Sequence, residues 1–121
     1  MVRVTERWPL GMIVPLQDPT PFSPFTPEDW RSALREVAKA GYRAVELAVT
    51  DPAEIDHEQV AEALREAGLR LSSLTTGQAA GKEGLSLSSA DEVVRALAIR
   101  RIQDHMRLAG GQRGEAEARL P

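Results

Sequence analysis

A helix–glycine–strand cycle constrains this chain more than any other feature. Ala40-Gly41-Tyr42-Arg43 leads into the apolar run Ala44-Val45-Glu46-Leu47-Ala48-Val49, and Ala67-Gly68-Leu69-Arg70 leads into Leu71-Ser72-Ser73-Leu74-Thr75. Ala109-Gly110-Gly111 repeats the helix-end signal, but Gln112-Arg113-Gly114-Glu115-Ala116-Glu117-Ala118-Arg119-Leu120-Pro121 follows in place of a short apolar, β-branched run. A repeating helix–glycine–strand pattern builds a parallel sheet, which needs cover on both faces or closure into a barrel. The expectation is an α/β fold of about three βα units with parallel strands, ending before a fourth strand.

The first strand is expected at Leu10–Leu16, between Pro9 and the turn-rich Gln17-Asp18-Pro19. Asp18 to Pro27 holds four prolines around Phe22 and Phe25, which makes a stiff irregular loop. Helix one is capped by Thr26, with Pro27 first and Glu28 and Asp29 in its opening turn. Its buried stripe is Trp30, Ala33, Leu34, Val37 and Ala38. The second strand spans Ala44–Val49. Asp56, with Gln59 three residues on, opens helix two in a variant of the capping box, and Val60, Ala63, Leu64 and Ala67 face inward. The third strand runs from Leu69 to Thr75, and Thr76 to Gly84 reads as a loop. Ser89, with Glu92 three residues later, opens helix three, which buries Val94, Leu97, Ala98, Ile102 and Met106 and ends near Leu108. Arg95, Arg100, Arg101 and Asp104 fall mostly on its solvated side. Residues 1–110 form the folded portion and 111–121 an irregular polar tail.

Composition narrows function by exclusion. The net charge is −3 and no basic cluster tracks a phosphate backbone, so nucleic acid is not an expected partner. The chain has no cysteine, which removes disulfides, thiolate nucleophiles and thiolate metal sites. No stretch reaches transmembrane length, and Leu10–Leu16 makes a poor signal segment because it is short and holds Pro15. The expected setting is cytoplasmic. First and third strands with open edges also make self-association an expectation.

In parallel α/β folds the site lies at the carboxyl ends of the strands. Glu46 stands inside an otherwise apolar strand, where a carboxylate costs free energy unless paired, hydrogen-bonded or bound to a ligand. One reading places it inside a barrel near the mouth, accepting hydrogen bonds from substrate hydroxyls or helping a metal site. The other pairs it with Arg43 or Arg70. Gln17, after strand one, and Thr76 and Gln78, after strand three, are further substrate-binding candidates, against the alternative of ordinary polar turns. Phe22 and Phe25 read as aromatics packed under their own loop. His57 and His105 lie off the strand ends, outside any metal-ligand spacing. No nucleophile elbow, phosphate-cradling glycine motif or zincin motif is present, and no catalytic or metal-ligating residue is assigned.

Gly41-Tyr42-Arg43-Ala44-Val45-Glu46-Leu47-Ala48, followed by Asp51-Pro52, resembles a motif of the sugar phosphate isomerases/epimerases, the xylose isomerase-like TIM barrels related in fold to endonuclease IV. Thr75-Thr76-Gly77-Gln78-Ala79, Gly84-Leu85-Ser86-Leu87 and His105-Met106-Arg107-Leu108-Ala109 are similar to later stretches of the same family. The resemblance spans Leu10 to Gly110 and implies part of a (βα)8 barrel, whose full form needs about 250 residues. It further implies proton transfer next to the carbonyl of a sugar or sugar phosphate, assisted by a divalent metal (Mn, Mg, Zn or Co) whose ligands come from later strands not in this chain. Glu46 matches the family's strand-two glutamate and Gln78 lies in its strand-three loop. Arg113-Gly114 follows Gly111 almost at once, where the family continues with a fourth strand. The resemblance thus implies an amino-terminal fragment inactive by itself. The alternatives are a non-catalytic half-barrel scaffold that depends on a partner, and an endonuclease IV-like hydrolase fragment.

Overall fold

The computed structural model describes residues 10–118, with side chains as far as Gln112. Three strands, β1 (Gly11–Pro15), β2 (Ala44–Ala48) and β3 (Arg70–Thr75), form one parallel sheet in the order β1-β2-β3. Pairing extends slightly past the strand bounds: Leu10 O accepts from Arg43 N at 3.2 Å, and Leu16 N donates to Ala48 O at 3.0 Å. The helices are α1 (Trp30–Lys39), α2 (His57–Ala67), α3 (Gln78–Glu83) and α4 (Glu92–Ala118). The outcome is three βα units in an open α/β sheet.

The two strand–helix rhythms divide the residues between two sheet faces. Val14, Val45 and Leu47 are fully buried and pack with Leu34 and Val37 of α1, Val60 and Leu64 of α2, and Leu108 of α4. Alternate strand residues point the other way. Ile13, Glu46 and Ser73 stand in register across the three strands on that opposite face, which among the described residues is the helix-free one, because the helices of the core cluster pack with Val14, Val45 and Leu47. The register slips between Val45 and Glu46: Val45 pairs with Leu71 but Glu46 with Ser73. Ser72 is thus the extra residue of a bulge, and its hydroxyl bonds Val45 O at 3.1 Å across the slip.

Several local expectations are corrected. Pro27–Asp29 form a 3-10 turn before α1, and the Thr26 side chain makes no capping hydrogen bond. Asp56 does cap α2 by accepting from Gln59 N at 3.1 Å, but the Gln59 amide oxygen accepts from Arg31 at 2.8 Å. The stretch expected as a loop contains α3, which ends on Gly84 at φ 68°, as α2 ends on Gly68 at φ 71°. These left-handed positions suit residues without a Cβ.

Helix α4 departs furthest. Asp91 accepts from Val93 N at 2.9 Å at its start, while Ser89 accepts from Asp91 N. The helix runs through Gly110-Gly111 to Ala118, beyond the expected stop at Leu108. Buried Gln112 donates to His57 O at 3.0 Å, which ties the extension to the start of α2. The inward face carries Ala98, Arg101, His105, Leu108 and Gln112, whereas Leu97 and Met106 are exposed. The phase of this helix, rather than its period, differs from the hydrophobic reading. Among the described residues no helix is long and apolar enough to cross a membrane.

Candidate functional site

The loops at the carboxyl ends of the strands are tied into one polar layer. Gln17, just after β1, reaches the backbone after β2. Its amide oxygen accepts from Thr50 N and Asp51 N, each at 2.7 Å, and its amide nitrogen donates to Asp51 O at 2.7 Å. The Thr50 hydroxyl donates to Asp18. Gln78, at the start of α3, donates to Asp18 O at 2.9 Å and Pro19 O at 3.3 Å. Thus the side chains of Gln17 and Gln78, both read as ligand contacts, bridge backbone groups of neighbouring loops. The three loops are held together by the residues that would have been free to bind.

Arg101 completes the layer from α4. It donates to Thr50 O at 2.9 Å, to both carboxylate oxygens of Glu83, and lies 3.4 Å from Asp51. The Arg101 hydrogen bond holds the Glu83 carboxyl below its ordinary range, against a smaller opposing push from burial. Reciprocally, the hydrogen bond to Glu83 and the nearby carboxylate charges raise Arg101. His105, 3% exposed, sits one turn further, with its ring nitrogens 2.8 Å from Val49 O and 2.9 Å from Arg101 O. Both residues are helix positions that satisfy carbonyls just past the end of β2. Sequence spacing placed Arg101 in solvent and gave His105 no partner; the signal was the recurrence of Arg101, His105 and Gln112 at helical spacing around Leu108.

Glu46 occupies a different place, one layer lower on the helix-free face of the central strand. The Ser73 hydroxyl donates to Glu46 Oε1 at 2.9 Å. Among the described residues no cation pairs with Glu46, so neither Arg43 nor Arg70 takes the role considered for it. One carboxylate oxygen is oriented by Ser73 and the other has no protein partner among the described residues. Thr75 lies beyond Ser73 on the same face, and among the described residues its buried Oγ1 has no hydrogen-bond partner. Thr76 lines a separate cleft of about 310 Å³ with Ala79, Leu85, Leu87, Ala98 and His105. That cleft is mostly apolar; Ser86 and Ser88 on its wall bond each other, and Arg101 and His105 are already bonded to protein.

Phe22 is 76% exposed, while Phe25 packs against the edge of the core. His57 contacts Pro52 O at 3.2 Å. Among the described residues no group of three or more His, Cys, Asp or Glu side chains could hold a metal ion. These residues therefore do not fit the metal centre that the resemblance implies.

Three parallel βα units, with a polar layer at the strand ends and a carboxylate on the helix-free face, define an α/β protein of the kind from which closed barrels are assembled. Residues 34–110, more than half of the chain, match the family model of the xylose isomerase-like TIM barrel, and the chain belongs to that family. No match among curated proteins accompanies it.

Proposed function

We propose that the chain serves a sugar or sugar phosphate isomerase/epimerase, and that its own part is to bind substrate rather than to move the proton. The observation that carries this reading is Glu46: a carboxylate in the middle of an apolar strand, turned to the helix-free face and oriented by Ser73. In a closed barrel that face is the interior, and the reaction is proton transfer next to the sugar carbonyl. Such chemistry needs a paired acid and base. Among the described residues Glu46 has no second carboxylate or histidine in its register layer, which holds Ile13 and Ser73. No step is assigned to a metal on these residues.

The test is a titration of the chain with D-xylose and D-fructose in deuterated water, following the Glu46 side-chain carboxyl by NMR. The expected result is a perturbation of Glu46 without incorporation of solvent deuterium next to the carbonyl. Perturbation confined to residues away from the helix-free face would overturn the site. Deuterium incorporation would place the acid and base on this chain.

A second reading, the partner-dependent scaffold, draws on the sheet edges. Among the described residues the outer edges of β1 and β3 have no strand partner, and Ile99 and Met106 of α4 are 50% and 66% exposed. Open edges with apolar neighbours favour association. Light scattering during size exclusion distinguishes a concentration-dependent oligomer, as this reading expects, from a monomer.

A further inference from the structure

Resting on that reading, we infer that this sector contacts the uncharged, hydroxyl-bearing part of its ligand, with Ser73 as the residue that positions Glu46, and that a phosphate group is not bound here.

With regular pairing after Val45 and Leu71, Ser72 would oppose Glu46. The slip instead puts Ser73 opposite Glu46, while the Ser72 hydroxyl bonds back to Val45 O and holds the slip in place. Ser73 then donates its one hydroxyl proton to Glu46 Oε1. A carboxylate with one oxygen so engaged retains acceptor capacity on the other, and its strong partners are O–H and N–H donors. Sugar hydroxyls are such donors; a phosphate, itself an anionic acceptor, is repelled.

The cations near the strand ends reinforce the assignment. Arg101 is engaged by Glu83, Asp51 and Thr50 O, and Lys82 lies 3.9 Å from Asp18. Arg100 lines a surface cleft together with Asp51, Glu83 and Asp104, where acidic groups outnumber it. Arg70, exposed, begins β3, three residues before Ser73, and so sits roughly 10 Å along the strand toward its amino end. Among the described residues none of these cations is placed to hold a phosphate beside Glu46.

The test compares D-fructose, D-fructose 6-phosphate and inorganic phosphate as probes of the full chain, reading affinity by calorimetry and location by amide and carboxyl NMR shifts. Fructose is expected to perturb Glu46 and Ser73, fructose 6-phosphate to bind within about threefold of it, and inorganic phosphate not to compete. Ser73 acts on affinity only by orienting Glu46, so S73A should weaken fructose by about three- to tenfold, the size of one modest hydrogen bond, and S73T should restore it. E46Q should weaken it by about tenfold or more, because the lost bonds are to a charged acceptor. Circular dichroism checks that each variant is folded. Competition by inorganic phosphate, or fructose 6-phosphate binding tenfold tighter than fructose, would overturn the inference. Fructose binding at Glu46 that is indifferent to S73A would remove the positioning role while leaving the broader reading standing. Failure of any sugar to perturb Glu46 would remove both.

Discussion

Replacing Arg101 with methionine tests how the loop layer is held. Methionine keeps much of the apolar stem, so lost packing contributes little. Three interactions go. The charged donor to Thr50 O at 2.9 Å is worth about 1.5–3 kcal/mol. The Glu83 pair is discounted to about 0.5–1 kcal/mol because the Glu83 side chain is 41% exposed and screened by solvent. Asp51, 24% exposed, loses a cation at 3.4 Å and adds a similar small amount. Together R101M should destabilise the fold by about 3 kcal/mol, which for a domain near 100 residues lowers Tm by roughly 12–24 °C. Urea titration and calorimetry read the effect, and a double-mutant cycle with E83Q isolates the pair. If R101M costs less than about 0.5 kcal/mol, the size expected of a surface substitution, the layer does not depend on Arg101.

Three further outcomes follow from the same geometry. Because the Glu83 carboxyl is held below its ordinary value of 4.5, its contribution is present above that pH and is lost as pH falls through its lowered folded value; stability measured against pH should show wild type and E83Q converging in acid. Q17L strands the Thr50 and Asp51 N–H groups and should cost about 2–4 kcal/mol, with hydrogen exchange accelerating at these two amides before it does in α1. L34A removes a 1% exposed side chain from the core and should cost about 2–5 kcal/mol by chemical denaturation.

The strands and the first two helices were legible because their signals are local. Gly68 closes α2 before β3, Asp56 caps α2, and Ala33, Leu34 and Val37 repeat at helical spacing onto the sheet. Helix α4 was legible in period but not in phase. Ile102 and Met106 looked like core, yet Arg101 and His105 turn inward because the carbonyls of Thr50 and Val49 need donors past the end of β2. That demand arises between elements 51 and 56 residues apart and leaves no mark in a helical window. The Ser72 bulge was hidden for a similar reason, since Ser72 and Ser73 are the same residue type and only pairing with Val45 and Glu46 distinguishes them. Glu46 was conspicuous as a carboxylate among apolar neighbours, whereas the capture of Gln17 and Gln78 by backbone groups depends on how the loops meet.

The division of the sheet into a core face and a ligand face is the claim on which the functional reading depends, and the absence of native cysteine makes it directly measurable. Single cysteines placed at Ser73 and Leu47 should differ in thiol labelling: S73C reacting in the folded protein and slowed by D-fructose, L47C reacting only on unfolding. Equal reactivity at both positions, or labelling of S73C that the sugar leaves unchanged at concentrations that saturate binding, would contradict it.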